Sequence, residues 1–373
     1  MRELITGAEA IGRAAIDAGC NFFSGYPITP ATPILLYMSG ELPKVGGVAL
    51  QAEDEIAAIG VCIGAAMAGA RVMTATSGPG ISLYSENIGL AIMDEVPLVI
   101  VDAQRLGPAT GGATTTAQGD VQFLRWGTSG GYPIIALAPV NVPDCYNLTR
   151  RAFDLAERFR LPVFVATDKE TLSTRATVAV DAYREIPVRD RRLPPADAEY
   201  VPYRINSLSD VPPMSPFGGP HLVRFSAASY KEDVYRAYRP HELDRLNRHL
   251  VAKVEDHVDE IAMVRADLQP GAEALIISYG ITVGAMEEAV NVARRNGIRV
   301  SSAAVRSLWP VPERALREAM AGARRIIVAE LNLGQYRREI ERLANDDQQV
   351  TGVHRVDGEL ITPGQILEIG ALL

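Results

Sequence analysis

The stretch that decides the fold is residues 50–60, which read LQAEDEIAAIG, and residues 76–80 follow it with TSGPG. Leu50 ends a short apolar segment, and the small and apolar residues after Glu55 predict a helix. A strand that ends near Leu50 would deliver Glu53 and Glu55 to the carboxyl edge of a sheet, where open α/β folds bind ligands. A carboxylate buried there needs a proton partner, so both glutamates are candidates for cofactor chemistry.

Length and composition indicate a globular chain of two or three domains, since 47% of the 373 residues are hydrophobic. A formal net charge of -8 argues against nucleic acid or an acidic membrane as a partner. No signal-peptide pattern opens the chain and no apolar run approaches about 18 residues, so we expect no membrane association and a cytoplasmic location. The cysteines Cys20, Cys62 and Cys145 form no C-x-x-C pair, and they cannot build a zinc or iron–sulfur site alone.

Residues 6–167 alternate between helix and strand patterns. Thr6 and Glu9 have the spacing of a capping box and predict the start of the first helix. Short apolar segments predict strands at residues 20–23, 48–50, 71–76, 97–102, 133–138 and 162–166. This alternation predicts an α/β fold with a doubly wound, mostly parallel sheet covered by helices on both faces.

The chain changes character after this region. Prolines interrupt every periodicity in residues 181–268, where residues 241–261 predict one amphipathic helix, so this part is expected to be a linker with one helix. A second, smaller α/β unit follows, with strands predicted at residues 274–278, 299–305 and 325–330. The predicted domains are residues 1–180, 181–268 and 269–373.

Two loops could carry chemistry at the carboxyl edge of the first sheet. Residues 26–30 read YPITP, and the two prolines would hold the Thr29 hydroxyl in one direction. Glycines in SGPG, residues 77–80, would let backbone N–H groups approach a ligand. Each motif taken alone is also compatible with a plain turn.

Arg105 follows a predicted strand and offers a guanidinium to a carboxylate, although an ordinary ion pair is the alternative. Neither G-x-G-x-x-G nor the P-loop pattern occurs. No histidine precedes His221, so the first unit cannot assemble a Ser-His-Asp or Cys-His pair from its own residues. The five histidines show no metal spacing and are expected at the surface.

The order of these motifs closely resembles the alpha subunit of 2-oxoacid:ferredoxin oxidoreductases. The resemblance rests on YPITP, QAEDE, TSGPG, QRLGPATG and QGD at residues 26–30, 51–55, 76–80, 104–111 and 118–120. WPVP at residues 309–312 and ELNLGQ at residues 330–335 resemble the transketolase-type C-terminal domain of that subunit. The resemblance implies a thiamine diphosphate pyrimidine-binding fold followed by a smaller transketolase C-terminal-like α/β domain.

The same resemblance implies roles for individual residues. Glu55 would hydrogen-bond N1′ of the aminopyrimidine ring, and Gly64 lies nine positions later, as in other thiamine enzymes. Glu53 remains the alternative. Thr29 would contact substrate or cofactor near the reacting carbon, and Arg105 would bind the 2-oxoacid carboxylate. Further cofactor contacts would come from Tyr26, Pro27, Ser77 and Gly78.

The resemblance also implies partners. No Gly-Asp-Gly with a following asparagine-rich segment occurs, so Mg²⁺ and the diphosphate would be held by a beta subunit. Iron–sulfur clusters would lie on gamma and ferredoxin-like subunits, because this chain has no cysteine cluster. The implied reaction is CoA-dependent oxidative decarboxylation of a 2-oxoacid to acyl-CoA and CO₂, with electrons passed to ferredoxin or a similar carrier.

Two features leave alternatives open. Residues 111–117 contain less proline and charge than expected for some 2-oxoglutarate enzymes, so the 2-oxoacid is not determined. An NAD-dependent dehydrogenase and a non-catalytic scaffold subunit are the rival functions. The missing dinucleotide fingerprint argues against the first, and the presence of Glu55, Thr29 and Arg105 argues against the second.

Overall fold

The computed structural model describes residues 2–179 and 187–372. The strands in these ranges are β1 Glu3–Thr6, β2 Phe22–Gly25, β3 Val48–Gln51, β4 Val72–Thr76, β5 Leu98–Gln104, β6 Ile135–Leu137, β7 Pro162–Asp168, β8 Arg175–Val178, β9 Val264–Asp267, β10 Ala274–Ser278, β11 Val300–Val305, β12 Ser307–Trp309, β13 Arg325–Glu330 and β14 Gln349–His354. The helices are α1 Gly7–Asp17, α2 Thr32–Glu41, α3 Glu55–Met67, α4 Gly78–Met93, α5 Val121–Trp126, α6 Val142–Phe159, α7 Lys169–Ser173, α8 Pro240–Glu255, α9 Val258–Ile261, α10 Thr282–Arg295, α11 Glu313–Met320, α12 Arg337–Leu343 and α13 Pro363–Ile369.

The first sheet has seven strands in the order β12-β6-β7-β5-β4-β2-β3. All its neighbouring strands are parallel except β12, which pairs antiparallel with β6. Strands β4, β5 and β7 are buried along their whole length, which explains their mostly apolar sequences. Helices α3 and α4 pack together against β2, β4 and β5, while α6 packs against β5 and β7 beside α1. The predicted α/β class with a mostly parallel sheet is confirmed.

The second sheet has five strands in the order β14-β13-β10-β11-β9, and its edge strand β9 is antiparallel to β11. Helices α10 and α13 pack together over it and enclose a separate apolar cluster. The chain passes from β11 into β12, which belongs to the first sheet. Strand β12 therefore joins the second unit to the sheet of the first unit.

The helix predicted at residues 241–261 is interrupted. Helix α8 ends at Glu255, and α9 begins only at Val258, because His257 leaves helical geometry with φ -121° and ψ 20°. The His257 ring instead packs edge-on against Phe159, with ring centroids 5.6 Å apart. The break lets Ile261 become fully buried before the chain enters β9.

The described part of the proline-rich segment, residues 187–239, contains neither a helix nor a ladder strand. Its arginines hold it to α6: Arg189 bonds Asp154 at 2.7 Å and Arg191 bonds Glu157 at 3.0 Å. Both carboxylates are nearly buried, so these pairs anchor the segment more firmly than exposed pairs would. In the described ranges, no helix combines the length and the apolar character that crossing a membrane requires.

Candidate functional site

The carboxyl edge of the first sheet brings together the predicted site residues. Strand β2 leads into the loop with Thr29, β3 leads to Glu55, β4 leads to Ser77, and β5 leads to Arg105. These four strands are parallel neighbours or next-neighbours in the sheet, so their ends lie side by side. Open parallel sheets bind ligands in the crevice outside this edge.

Glu55 is the first residue of α3, and its side chain is nearly buried, with 7% of the residue exposed. Asp54 caps the helix, because its side chain accepts the Ala57 N–H at 2.7 Å. Glu53 is exposed just outside the helix. The two glutamates that the sequence left in competition are therefore separated by burial.

Gly80 makes room for Glu55. A Cβ atom added at Gly80 would lie 1.9 Å from Thr76 Oγ1 and 2.9 Å from Glu55 Cγ. Only a residue without a side chain lets the first turn of α4 pass this close to both groups. The last glycine of SGPG thus has a packing reason that goes beyond turn formation.

Arg105 is buried at the end of β5. Its Nη1 donates a hydrogen bond to the main-chain oxygen of Thr29 at 2.5 Å, while its Nε has no partner. The Thr29 residue is exposed, and Tyr26 and Pro27 beside it are half-buried. The guanidinium is therefore fixed on one side and keeps hydrogen-bonding capacity on the other.

Several buried polar atoms at this edge have no partner among the described residues. They are the hydroxyls of Ser24, Thr76 and Ser77 and both carboxylate oxygens of Asp102. Buried polar groups in folded proteins are nearly always hydrogen-bonded, so a cluster of unpartnered ones marks a place where a ligand completes the bonding. This set of donors and acceptors fits the polar edge of a heteroaromatic ring.

Sequence reasoning gave no role to two acids in the site. Asp102 lies inside the buried strand LVIVDAQ, and Asp120 ends the QGD motif. Burial raises the pKa of Asp120 to about 6, although the Arg105 charge opposes the shift. Burial, reinforced by repulsion from Asp120, raises the pKa of Asp102 well above its usual range. For Asp102, the available sequence signal was a single acid within a strand of mostly apolar residues.

The QGD and ELNLGQ motifs meet at the junction of the two units. Gln118 Nε2 donates to Asp168 and to the Tyr279 carbonyl, at 3.3 and 3.2 Å, and its Oε1 accepts the Leu331 N–H at 3.1 Å. Asn332 Nδ2 donates to the Gln118 carbonyl at 2.7 Å. These bonds fix the end of the loop that begins at Arg105 against the second unit.

The expectation that all histidines are at the surface is wrong for His249. It is buried on α8 and lies 3.2 Å from Glu95, which Lys253 also contacts at 3.0 Å. Burial raises the pKa of Glu95, but Lys253 and His249 outweigh it and hold the value below the usual range. The cluster lies at the amino end of β5, far from the crevice, where it fastens α8 to the first sheet.

Comparison with known families agrees with this geometry. Residues 13–245 match the family described as pyruvate flavodoxin/ferredoxin oxidoreductase, thiamine diphosphate-binding. Residues 272–366 match the core domain II of pyruvate:ferredoxin oxidoreductase. The fold and the crevice therefore define a thiamine diphosphate-binding protein.

Similar proteins align with nearly the whole chain. The 2-oxoglutarate synthase subunit KorA of Methanothermobacter marburgensis is 40% identical over 365 residues, 97% of this chain and 96% of its own length. The ketoisovalerate oxidoreductase subunit VorB of Methanothermobacter thermautotrophicus is 35% identical, over 98% of this chain and 96% of its own. The chain belongs to the 2-oxoacid:ferredoxin oxidoreductase family, as an alpha subunit.

Solved structures of other proteins show the same fold as this chain. The 2-oxoglutarate:ferredoxin oxidoreductase of Magnetococcus marinus, solved with 2-oxoglutarate, coenzyme A and succinyl-CoA bound, superposes with a TM-score of 0.93 at 31% identity. The match covers 98% of this chain and 64% of that one, so this chain spans less than two thirds of its neighbour. A split-gene transketolase at 14% identity and a TM-score of 0.56 shares the fold alone. The predicted fold class is confirmed.

Proposed function

We propose that this chain supplies the pyrimidine-binding half of a thiamine diphosphate site in an enzyme that oxidatively decarboxylates a 2-oxoacid and transfers the acyl group to coenzyme A. The observation that carries the proposal is the burial of Glu55 against Gly80 at the carboxyl edge of the first sheet. Electrons would leave to ferredoxin or a similar carrier. Thiamine diphosphate, when bound, supplies a nucleophilic carbon that adds to a keto group.

Glu55 is the residue proposed to hydrogen-bond N1′ of the aminopyrimidine. Its burial supports this role, because a hydrogen bond that is shielded from water is electrostatically stronger than one in solvent. Exposed Glu53 is the weaker candidate. Ser77 and Gly78 would contact the ring from the start of α4, and Tyr26 and Pro27 would do so from the loop after β2.

Arg105 is proposed to hold the 2-oxoacid carboxylate, and Thr29 to contact the substrate near its keto carbon. The bond from Arg105 to the Thr29 carbonyl supports both roles, because it fixes the two residues relative to each other. The free Nε and the exposed position of Thr29 leave polar atoms for a ligand.

The substrate is proposed to be 2-oxoglutarate. The relatives named 2-oxoglutarate synthase are 39–40% identical to this chain, whereas the ketoisovalerate oxidoreductase subunits are 33–35% identical. Assays of the assembled enzyme with 2-oxoglutarate and with ketoisovalerate, which is 3-methyl-2-oxobutanoate, would decide between the two substrates. A kcat/KM that favours 3-methyl-2-oxobutanoate would contradict this assignment.

Partner subunits are part of the proposal. No cluster of three or more metal-binding side chains occurs among residues 2–179 and 187–372, which supports a beta subunit as the holder of Mg²⁺ and diphosphate. Helices α3 and α4 present Ile56, Val61 and Leu83 to solvent, and this apolar face is the proposed docking surface. Gamma and ferredoxin-like subunits would carry the clusters, and the three buried, unbridged cysteines suit a reducing cytoplasm.

The domain division at residues 180 and 268 also stays a proposal. Strand β9, which ends at Asp267, pairs with β11 in the second sheet. This pairing supports a second unit that begins a few residues before the predicted boundary.

The experiment compares the isolated chain with a complex co-expressed with its beta subunit. The complex should reduce methyl viologen in a reaction that requires 2-oxoglutarate and coenzyme A, and the isolated chain should be inactive and bind thiamine diphosphate weakly in calorimetry. Leu83→Asp should prevent co-purification, while Leu222→Asp, at a loop residue that is 94% exposed, should not. NAD reduction by the isolated chain, or its tight magnesium-dependent binding of the cofactor, would refute the proposal.

A further inference from the structure

A loop of residues 106–120 follows Arg105 and ends where α5 begins. The loop closes on itself, because the Leu106 N–H donates to the Thr115 carbonyl at 2.9 Å and the Gly112 N–H donates to the Leu106 carbonyl at 2.8 Å. Leu106 directly follows Arg105 in the chain. A displacement of Thr115 would therefore also displace the main chain next to the residue that carries the guanidinium.

Gly358 of the second unit lies against this loop at Thr115. A Cβ atom added at Gly358 would be 2.0 Å from Thr115 Cγ2. Gly358 also has a φ of 85°, a backbone conformation that residues with a side chain rarely adopt. The glycine therefore allows the segment after β14 to approach the loop so closely that no methyl group fits between them.

A second contact between the second unit and the loop lies at Gln118 and Gly119. Asn332 Nδ2 donates to the Gln118 carbonyl at 2.7 Å, and Gln335 Nε2 donates to the Gly119 carbonyl at 2.6 Å. Asn332 is buried, and its Nδ2 also lies 2.7 Å from the Tyr279 hydroxyl, which fixes its orientation within the second unit. The second unit thus holds the loop at two separate places.

The end of the loop contacts groups at the crevice. The Asp120 N–H donates to Gln104 Oε1 at 3.1 Å, and Gln104, the last residue of β5, directly precedes Arg105. A Cβ atom added at Gly78 would be 2.8 and 2.9 Å from the two Asp120 carboxylate oxygens, so Asp120 also lies against the start of α4. Through Leu106 and Gln104, the loop is therefore bonded to both chain neighbours of Arg105.

We propose that the second unit, through its two contacts with this loop, positions Arg105 for the carboxylate of the 2-oxoacid. The inference rests on the proposed substrate contact of Arg105. Gly358, Asn332 and Gln335 are positioning residues, because they act on Arg105 through the loop. A guanidinium that is already held in the binding orientation binds a carboxylate more tightly, because less ordering is needed when the substrate arrives. The second unit therefore contributes to the affinity for the 2-oxoacid, although its strands form a different sheet.

Gly358→Ala in the assembled holoenzyme tests the contact at Thr115. The added methyl group should push Thr115 away and lower kcat/KM for 2-oxoglutarate by roughly threefold to tenfold, which is the effect expected when one hydrogen bond is weakened. With 2-oxoglutarate saturating, kcat/KM for coenzyme A should stay unchanged, whereas a general loss of active enzyme would lower both values equally. Equal falls in both values, or no fall in either, would overturn the inference.

Gly322→Ala is the matched control. Gly322 also belongs to the second unit and has a φ of 81°, but no other described residue lies within 4 Å of its added Cβ. The two variants therefore carry similar backbone strain, and only Gly358→Ala changes the contact with the loop. Gly322→Ala should leave both kcat/KM values unchanged. A selective loss in Gly322→Ala as large as that in Gly358→Ala would assign the effect to strain and overturn the inference.

The double variant Gly358→Ala/Thr115→Ser provides a rescue. Serine lacks the Cγ2 atom that the added methyl group would meet, so the loop can return to its wild-type position. The double variant should recover most of the lost kcat/KM for 2-oxoglutarate, with Thr115→Ser alone as its reference. A double variant as impaired as Gly358→Ala would contradict the proposed contact.

Gln335→Leu tests the second contact, because leucine cannot donate to the Gly119 carbonyl. Gln348→Leu is its control, since Gln348 Nε2 donates to the Met320 and Ala323 carbonyls at 2.8 and 3.0 Å, all within the second unit. Both variants should have lowered melting temperatures, but only Gln335→Leu should show the selective fall in kcat/KM for 2-oxoglutarate. Wild-type kinetics in Gln335→Leu, or the same selective fall in Gln348→Leu, would overturn the role of this contact.

Arg105→Met separates this inference from the proposed function. An unchanged kcat/KM for 2-oxoglutarate in Arg105→Met would refute the proposed substrate contact of Arg105. A fall in Arg105→Met without a fall in Gly358→Ala and Gln335→Leu would refute the present inference alone. Melting temperatures of all the variants establish that each holoenzyme is folded before the kinetics are compared.

Discussion

The guanidinium of Arg105 donates a hydrogen bond to the main-chain oxygen of Thr29 at 2.5 Å. This bond joins the loop after β2 to the end of β5, although the two residues are 76 positions apart. The bond fixes the Arg105 guanidinium relative to Thr29, and the Arg105 Nε keeps a donor without a partner. Changing Arg105 should affect both the charge of the crevice and its width.

Arg105→Ala should lower kcat/KM for the 2-oxoacid by about 100-fold or more, because truncating one partner of a buried, charged contact costs roughly 2–5 kcal/mol. Arg105→Lys should restore only part of the loss, since an ammonium cannot bind Thr29 and a carboxylate with the same planar geometry. Steady-state kinetics of the assembled enzyme measure this. Arg314→Ala, at a side chain that is 70% exposed, is the control and should behave as wild type. Wild-type kinetics in Arg105→Ala would remove Arg105 from the site.

Glu55→Gln should leave assembly intact and abolish most turnover, because an amide cannot share a proton with a ring nitrogen as a carboxyl does. Glu53→Gln is the matched control, two residues away and exposed, and it should have a mild effect. Single-turnover decarboxylation and size-exclusion chromatography separate chemistry from assembly. The reverse pattern, with Glu53→Gln inactive and Glu55→Gln active, would exchange the roles of the two glutamates.

Gly80→Ala should be destabilising and should impair activity, since its Cβ would meet Thr76 Oγ1 at 1.9 Å and push α4 away from Glu55. Overpacking of this kind costs about 1–3 kcal/mol. Gly284→Ala in α10 is the control: nothing lies within 4 Å of its added Cβ, so it should gain roughly 0.4–1 kcal/mol. Thermal melts of both variants give the comparison. Equal melting temperatures for Gly80→Ala and wild type would contradict the packing argument.

The sequence predicted those parts of the fold that depend on local patterns. Buried parallel strands such as β4 and β5 consist mostly of apolar residues, and the residues that follow them meet at one edge of the sheet. The same logic brought Glu55, Thr29 and Arg105 together, and burial then distinguished Glu55 from Glu53. Their individual roles stay predictions.

Features that depend on distant contacts were not predicted. Strand β12 follows β11 of the second unit but pairs with β6 of the first sheet. This pairing forms only when the two units are packed together. Gln118 bonds Tyr279 and Leu331, which lie more than 150 positions later, so nothing in its local sequence indicates these two contacts. Lys253 has the sequence setting of a solvent-exposed helix residue and is nevertheless fully buried, because its partner Glu95 lies on another element.

Lys253→Met should therefore be strongly destabilising, by roughly 3–5 kcal/mol, because it leaves the Glu95 carboxylate buried with less compensation. The double variant Glu95→Gln/Lys253→Met should recover much of this loss, since removing both charges also removes the cost of burying them. Chemical denaturation of the four proteins in the cycle measures the coupling. A double variant no more stable than Lys253→Met would show that the pair has no such coupling.

The same cluster predicts a pH dependence with a defined sign. The pKa of Glu95 lies below its usual range in the folded chain, because Lys253 and His249 outweigh the effect of burial. A carboxyl whose pKa is lowered on folding contributes stability that is present above its unfolded pKa and is lost as the pH falls towards its folded pKa. Wild-type stability should thus decline below about pH 4.5, and Glu95→Gln should show a shallower decline over the same range. Parallel declines in the two proteins would assign acid unfolding to other carboxylates, such as Asp154, whose pKa is also lowered.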